Sequence, residues 1–283
     1  MSSAISSPPS GSLKKRRVLP GLGLSLGYSI TVLTLLLFIP LAACFAKAAT
    51  LTPSQFWAAA WSERAQSAYF VTFFCSLIAA IIDSIIGVIL AWVLVRYQFF
   101  GKRFIDSLID LPFALPTAVA GLVYANMYAE HGWFGKWLVP WGIHVAFTKL
   151  GIILVLVFVG LPFVVRTVQP LLETLDDDLE DAAELLGATR WQTLSMVIFP
   201  AIQPALLTGF ALTFARAIGE FGSVIFISGN LQYKTEIAPY LIVSRLEEYA
   251  YAEATAVAVV LIVISLILLV IINGLERWNR RYD

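Results

Sequence analysis

Residues 181 to 200 read DAAELLGATRWQTLSMVIFP and form a polar segment in a chain that is otherwise strongly apolar. The spacing of its apolar residues predicts a helix, which Gly187 ends or bends before Pro200 begins the next apolar stretch. We expect a segment of this polarity to lie in water between two membrane-spanning stretches and to offer a docking surface. The predicted helix begins shortly before residue 181, and its apolar stripe comprises Leu179, Ala182, Ala183 and Leu186.

Composition places the chain among membrane proteins. It has 283 residues, of which 59% are hydrophobic and only 13% are charged, whereas soluble domains carry about 25% charged residues. The formal net charge is +0, so the chain has no basic field to attract nucleic acid. Cys44 and Cys75 fall in apolar stretches and are expected to be free packing residues. His131 and His144 have no acidic or Cys partner at ligand spacing, so no metal site is expected.

Six apolar stretches are long enough to cross a bilayer. A bilayer core of about 30 Å needs roughly 20 apolar residues in helical form. The pattern therefore predicts an all-α polytopic membrane protein with six transmembrane helices. The predicted spans are 22–46, 68–95, 105–128, 150–168, 203–228 and 254–275.

Lys and Arg residues are unevenly divided between the two predicted sides of the membrane. Because loops rich in Lys and Arg stay in the cytoplasm, this bias predicts that both termini and the 166–202 loop are cytoplasmic. The side of the N-terminal arm holds twelve: Lys14, Lys15, Arg16, Arg17, Arg96, Lys102, Arg103, Arg166, Arg190, Arg277, Arg280 and Arg281. The opposite side holds six: Lys47, Arg64, Lys136, Lys149, Lys234 and Arg245.

The start of the chain also has the order of a lipoprotein-type secretion signal. A basic arm and an apolar run precede the sequence Leu41-Ala42-Ala43-Cys44. The apolar core of such a signal spans only about 7–15 residues, and the run in this chain is much longer. We therefore expect the first apolar stretch to remain as a membrane-spanning helix.

The polar segment carries further helical signals and many acidic groups. Asp178 is predicted to be the N-cap of its first helix, and a second helical piece carries Arg190 and Trp191. The residues alone leave two interpretations open, an amphipathic helix that rests on its own bundle or a helix inserted into a groove on a cytoplasmic partner. The acidic residues are Glu173, Asp176, Asp177, Asp178, Glu180, Asp181 and Glu184.

Arg216 and Glu220 lie one helical turn apart in the predicted fifth span. Each costs about 2.5–3.5 kcal/mol at a helix centre, so both are expected to face the protein interior and can pair with each other. Two roles remain open: an ion pair that only fixes the helix, or a positive potential from Arg216 for an anion path while Glu220 holds its orientation. Gly219 and Gly222 are expected to permit close helix contact.

The third predicted span contains two prolines, Pro112 and Pro116, each of which removes a backbone hydrogen-bond donor. Thr117 and Asn126 add polar groups to the same segment. Irregular backbone at membrane depth is tolerated only against protein or a water-filled cavity, so a structural kink and a contact with substrate both remain open. Asp83, midway along the second span, is likewise expected to face protein or water.

The polar segment resembles the E-A-A-x3-G-x9-I-x-L-P loop of permease subunits in bacterial binding-protein-dependent ABC importers. Asp181 stands in place of the family's Glu, while Val197 and Phe199 replace its Ile and Leu. The resemblance implies a coupling helix that docks on an ATPase subunit and transmits its closure to the spanning helices. The matching residues are Ala182, Ala183, Gly187 and Pro200. The residues expected to couple to the ATPase are Leu179, Asp181, Ala182, Ala183, Leu186, Gly187, Arg190 and Trp191.

Longer blocks resemble a narrower family, the T-type subunit of sulfate and thiosulfate permeases. The resemblance runs from about residue 16 to 275 and implies a type I ABC importer permease architecture. It divides the chain into a disordered basic arm, 1–17, and a transmembrane permease domain, 18–283, with a coupling loop at about 170–200. The blocks are RRVLPGLGLSLG (16–27), DLPFALPTAVAGL (110–122), LPFVVRTVQPLLE (161–173), GATRWQT (187–193) and GEFGSVIFISGN (219–230).

The resemblance implies inward transport of sulfate, and of thiosulfate, across the cell inner membrane. The chain has no G-x4-G-K-[ST] loop, so ATP and Mg are expected on a partner ATPase and no cofactor on this chain. The implied partners are two ATPase subunits, a second related permease subunit, a periplasmic binding protein and membrane lipid. The residues expected along the translocation path are Arg216, Glu220, Pro112, Pro116, Thr117 and Asn126.

Several alternatives stay open at this point. A molybdate or tungstate permease shares the coupling loop, and a passive anion channel is the candidate from another class. An intramembrane enzyme is disfavoured because the chain has no H-E-x-x-H motif. The sequence does not decide between a mixed and an identical permease pair, or between a bacterial and a plastid membrane.

Overall fold

The computed structural model describes residues 22–175 and 177–279, and every regular element in these two ranges is helical. The predicted all-α fold class is confirmed. The chain divides into two compact units, residues 1–44 and residues 45–283. The predicted basic arm, 1–17, lies outside the described residues.

The helices follow one another with short connections. Two π-helical segments, Thr34–Phe38 and Leu194–Ile198, and one 3₁₀ turn, Val139–Trp141, accompany the α-helices. The α-helices are α1 (Leu22–Leu33), α2 (Ile39–Ala48), α3 (Pro53–Ala60), α4 (Glu63–Arg96), α5 (Lys102–Ile109), α6 (Leu111–Ala114), α7 (Thr117–Tyr128), α8 (Gly135–Leu138), α9 (Lys149–Thr174), α10 (Asp177–Leu185), α11 (Arg190–Thr193), α12 (Phe199–Ile218), α13 (Val224–Ile227), α14 (Ala238–Glu247) and α15 (Tyr251–Asn279).

A proline follows each π-helical segment by two residues, at Pro40 and at Pro200. Proline has no backbone N–H, and its ring clashes with the carbonyl four residues back. The helix accommodates this ring by widening, so that the N–H of Phe199 donates to the carbonyl of Leu194, five residues back. The helical path therefore continues through Pro200, and α11, the π-helical segment and α12 form one run.

Five helical runs in the described ranges are long and apolar enough to cross a membrane, so the predicted count of six continuous spans is not confirmed. The predicted third span, 105–128, consists of three separate helices, α5, α6 and α7. Pro116 holds the preceding Leu115 in an extended conformation, with φ of −86° and ψ of 134°, and this ends α6. The five runs are Leu24–Ala48, Glu63–Arg96, Lys149–Thr174, Arg190–Ile218 and Tyr251–Ile272.

The predicted fifth span, 203–228, is displaced toward the N-terminus. Its helical run begins at Arg190 and ends at Ile218. Gly219 caps the end of α12, and residues 219–223 form a non-helical segment before the four-residue α13. Arg216 and Glu220 therefore lie at the end of a helix and not in the middle of a continuous span.

The core of the second unit is built from α4, α9 and α12, which pack against one another. Small residues allow the close approach of these helices. A Cβ at Gly87 of α4 would lie 2.7 Å from the Cβ of Val164 on α9, and a Cβ at Gly209 of α12 would overlap the hydroxyl of Thr167 on α9. Two apolar clusters fill the space between the three helices, and α15 packs on α12 and α14.

Candidate functional site

The polar segment folds as two helices separated by a sharp turn. The predicted end of the first helix at Gly187 is confirmed, because Gly187 has a φ of +82°, in the left-handed region that favours glycine. The N–H of Ala188 donates to the carbonyl of Ala183 at 3.0 Å, which is the six-to-one bond of a Schellman turn. Asp178 lies inside α10, which begins at Asp177, so the N-cap predicted at Asp178 is wrong.

The second helix of the segment has a capping box that the sequence analysis missed. Thr189 is the N-cap of α11, and its hydroxyl accepts from the backbone N–H of Gln192 at 3.4 Å. The Gln192 side chain in turn accepts from the N–H of Thr189 at 2.8 Å. The signal was present in the sequence, since Ser or Thr followed three residues later by Glu or Gln marks a helix start. This box fixes the angle at which α11 leaves the turn.

The predicted apolar stripe of α10 is divided between two environments. Ala183 is buried against the rest of the second unit, whereas Leu179 and Ala182 are exposed. Leu186 is 89% exposed and Trp191 is 74% exposed. Exposed apolar side chains of this kind are typical of interaction surfaces, and the exposed Asp181 lies on α10 as well. We call these exposed residues the loop face: Leu179, Asp181, Ala182, Leu186 and Trp191.

An ion pair ties α10 to the end of α4. The guanidinium of Arg96, the last residue of α4, pairs with Glu180 of α10. The same guanidinium lies 5.4 Å from the centroid of the Trp92 ring, one turn back along α4. The remaining predicted coupling residue, Arg190, begins α11 beside this contact.

Arg216 and Glu220 form the ion pair that their spacing allowed. The Glu220 side chain is only 2% exposed. Its second carboxylate oxygen accepts from the backbone N–H of Ser223 at 3.0 Å and from the Ser223 hydroxyl at 2.9 Å. Glu220 therefore holds both Arg216 and the non-helical segment 219–223 in place.

The two irregular segments of the chain lie against each other. A Cβ at Gly121 of α7 would overlap the carbonyl oxygen of Ser223, and a Cβ at Gly222 would overlap the hydroxyl of Thr117. The close contact predicted at Gly222 is thus confirmed, whereas Gly219 is exposed with no such neighbour among the described residues. The break after α6 and the break after α12 meet at this point.

The other residues predicted to line the path lie in α6 and α7 or directly between them. Pro112 lies in the first turn of α6, and Pro116 directly precedes α7. Asn126 lies nine residues beyond Thr117 in α7, roughly 13 Å along the helix. Its amide donates to the carbonyl of Leu122 at 2.9 Å. The structure thus brings Thr117 beside the segment that Glu220 holds and leaves Asn126 at a distance from it.

Like the pair of Arg96 with Glu180, three further polar contacts between distant parts of the chain were not predicted. Arg166 of α9 binds the carboxylates of Asp106 and Asp110, which lie in α5 and directly after it. Arg64, near the start of α4, donates to both carboxylate oxygens of Glu236 at 2.9 and 2.7 Å. No local sequence signal marks these pairs, because 56 to 172 residues separate their members.

Asp83 lies at the centre of the three-helix core with an exposure of 0%, as its expected orientation toward protein requires. A Cβ at Gly160 of α9 would overlap its carboxylate and also contact Thr213 of α12. The hydroxyl of Thr213 donates to the carbonyl of Gly160 at 3.2 Å. Neither carboxylate oxygen of Asp83 has a hydrogen-bond partner among the described residues.

The fold is all-α and has the architecture of type I ABC importer permeases. The fold matches a chain in the crystal structure of a bacterial ABC transporter involved in the import of the acidic polysaccharide alginate. The TM-score is 0.75 at 16% identity, over 90% of this chain and 94% of that chain. A chain of the inward facing MetNI methionine ABC transporter matches with a TM-score of 0.52 at 19% identity, over 82% of this chain and 100% of that chain.

The chain belongs to the family of binding-protein-dependent transport system inner membrane components, whose sequence profile matches residues 83–281. It is 46% identical over 270 residues to the sulfate transport system permease protein CysT of Escherichia coli (strain K12), over 95% of this chain and 98% of that protein. It is 51% identical to the CysT protein of Synechococcus elongatus, over 89% of this chain and 90% of that protein. The predicted family resemblance is confirmed.

Proposed function

We propose that this chain is the permease subunit of an ATP-driven importer that carries sulfate, and also thiosulfate, across the inner membrane into the cytoplasm. The observation that carries the proposal is the 46% and 51% identity to sulfate transport permeases over nearly the whole chain. Sulfate and thiosulfate are tetrahedral dianions of similar shape, so one path serves both. The chain forms half of that path, and a second, related permease subunit forms the other half.

The coupling loop, 178–200, transmits ATPase closure to the spanning helices. The loop face presents three large exposed apolar side chains that can enter a groove on an ATPase subunit. Ala182, in the middle of the loop face, is small enough for the backbones of α10 and of the ATPase to come close. Gly187 and the capping box of Thr189 support this role, because they fix the direction in which a push on α10 reaches α11 and α12. Arg190 is the first residue of α11, directly after the turn.

The translocation path runs past the meeting point of the two irregular segments. The described contacts of Arg216 engage one terminal nitrogen of its guanidinium, so its other N–H groups remain for an anion. Because Glu220 is already saturated by Arg216 and Ser223, its charge is not presented to the path. Pro116 interrupts the helical path directly before Thr117, which lies against Gly222, as expected for a site built from discontinuous helices.

The partners follow from this division of labour. Two ATPase subunits bind ATP and Mg, and a periplasmic sulfate- and thiosulfate-binding protein delivers the anion. Both termini and the coupling loop face the cytoplasm, in agreement with the bias in Lys and Arg. This chain carries no cofactor of its own and performs no hydrolysis.

The test is uptake of labelled sulfate by proteoliposomes that contain the complete importer, with ATP supplied on the side of the ATPase. We expect uptake that requires ATP and is suppressed by excess thiosulfate. Stronger suppression by molybdate or tungstate than by thiosulfate would assign the chain to the oxyanion alternative. Uptake without ATP would instead identify a passive channel and refute the proposal.

The two parts of the mechanism are separated by variants. Deletion of Leu179–Leu186 is expected to abolish association with the ATPase subunits, since the loop face is lost. Arg216→Ala is expected to leave the assembly intact and to reduce sulfate uptake at least tenfold. Leu212→Ala, on the exposed side of α12 one turn from Arg216, is the matched control. An Arg216→Ala complex that assembles and transports at the normal rate contradicts the role of Arg216.

A further inference from the structure

A cleft of about 660 Å³ lies between the end of α4, the helices α10 and α11, and the start of α12. This volume falls in the range of roughly 300–1,000 Å³ that small-molecule sites occupy. One part of the cleft is apolar and lies within the spanning helices, whereas the other part is polar and lies at the turn between α10 and α11. The apolar part is lined by Val88, Ile89, Trp92, Leu194, Phe199 and Ile202.

The cleft extends along the direction of the spanning helices. Ile89 precedes Arg96, the end of α4, by seven residues, which is about 10 Å of helix. Ile89 is 56% exposed, so the described residues of this chain leave the apolar wall uncovered. The cleft therefore leads from membrane depth to the water-facing turn, as an acyl chain joined to a headgroup does.

The polar end of the cleft presents one acid and one base. Glu184 of α10 and Arg190 of α11 both line it, and neither has an ion-pair partner among the residues that the structure describes. The third charged lining residue, Glu180, already pairs with Arg96. The guanidinium of Arg96 also lies over one face of the Trp92 ring.

We propose that the cleft binds a phosphatidylethanolamine molecule from the leaflet on the α10 side. Its ammonium group donates to Glu184, its phosphate accepts from Arg190, and one acyl chain lies along the apolar wall. An anionic headgroup such as phosphatidylglycerol has no cation for Glu184. A choline headgroup has no N–H to donate, so it loses the charge-assisted hydrogen bond.

A lipid in this position contacts both sides of the coupling loop. It fills the space between α10 and the helices α4 and α12. Its headgroup binds Glu184 before the turn and Arg190 after the turn, and so holds the turn in place. The inference concerns lipid binding alone and does not depend on which anion the permease carries.

The test uses the complete importer in nanodiscs with a phosphatidylethanolamine probe that carries a photoreactive group in its acyl chain. We expect the probe to label peptides of the α4 end and of α11–α12. Ile89→Trp fills the apolar part and is expected to reduce this labelling at least fivefold. Ile85→Trp is the matched control, because Ile85 lies one turn away on α4, is 59% exposed and does not line the cleft.

A second variant tests the headgroup site without altering the packing. Glu184→Gln is expected to remove the preference for phosphatidylethanolamine over phosphatidylcholine and phosphatidylglycerol probes, while Glu173→Gln, at the exposed end of α9, preserves it. If the phosphatidylethanolamine, phosphatidylcholine and phosphatidylglycerol probes label the complex without substitutions equally, the proposal is overturned. So would unchanged labelling in Ile89→Trp, or crosslinks from Ile89→Cys to an ATPase or permease partner, which would show a protein in the cleft.

Discussion

Replacing Arg166 with alanine is expected to break the link between α9 and the segment before α6. Its Nε and Nη2 donate to the two oxygens of Asp110 at 2.9 and 2.6 Å. Its Nη1 donates to Asp106 Oδ1 at 2.6 Å and to Gln169 Oε1 at 2.8 Å, and Nη2 also donates to the Asp106 carbonyl at 2.9 Å. One side chain therefore joins the helix that leads into the proposed coupling loop to the segment that leads into the break at Pro116.

The magnitude depends on the exposure of the groups that form this link. Hydrogen bonds to charged groups contribute about 1.5–3 kcal/mol each, whereas exposed ion pairs contribute only about 0.2–1 kcal/mol. The Arg166 side chain is 31% exposed and that of Asp110 is 45% exposed, so solvent weakens both ion pairs. The two-point geometry at Asp110 offsets part of this loss. We expect a total of about 2 kcal/mol, which is roughly a 30-fold change in the ratio of linked to unlinked molecules.

The assay measures sulfate uptake and ATP hydrolysis in the same reconstituted importer. Arg166→Ala is expected to lower the sulfate transported per ATP hydrolysed about tenfold, below the roughly 30-fold limit set by the loss of about 2 kcal/mol. The ATPase subunits should remain bound, because α10 is unchanged. For Arg166→Lys, the sulfate transported per ATP is expected to lie between the values of the unsubstituted protein and of Arg166→Ala, since an ammonium group keeps the charge but not the planar fork.

The control is Arg103→Ala, which removes a neighbouring cation of α5 without breaking this link. It should leave transport per ATP unchanged. Normal coupling in Arg166→Ala refutes the reasoning, and so does an equal loss in Arg103→Ala, because that result would assign the effect to charge alone.

Three further substitutions test the core and the opposite end of α4. Asp83→Asn is expected to change the melting temperature of the assembled permease by less than about 3 °C. The Asp83 carboxylate has no hydrogen-bond partner among the described residues, and an amide has the same shape as a carboxyl group. Gly121→Ala should cost about 3 kcal/mol and greatly lower the yield of folded protein on size-exclusion chromatography, because its Cβ meets the rigid carbonyl of Ser223. Arg64→Ala should cost about 3–5 kcal/mol in thermal unfolding, because Glu236 is only 1% exposed and loses its partner, and Glu236→Gln should restore part of this loss.

The long apolar stretches of the sequence were sufficient to predict the helical class and the positions of four spans. It failed at the third predicted span, 105–128, because hydropathy measures the polarity of a stretch and not its continuity. The decisive residue was Pro116, whose effect on Leu115 ends a helix inside an apolar stretch. The same residue type did not end the helix at Pro200, where a π-helical segment absorbed it. Sequence alone does not reveal which of these outcomes a proline produces.

The candidate sites were predictable where they depended on neighbours in sequence. The turn at Gly187 and the pairing of Arg216 with Glu220 each follow from a spacing of a few residues. The links from Arg64 and Arg166 depend on which helices come together in space, so no local pattern contains them. The contact between Gly121 and Ser223 is of the same kind, and only the packed structure shows why a glycine is required there.

The positions of the ion pairs indicate where the second unit can bend. α10 is connected through the chain to α9 and through Glu180 to α4, and these two helices touch at Gly87. Arg166 adds α5 to the same body. A push on the proposed coupling loop is therefore shared by α4, α5 and α9, which these contacts join into one body. Helical hydrogen bonds are interrupted at Pro116 and in the segment 219–223, which lie against each other, so movement is expected to concentrate at the point where the anion path is proposed.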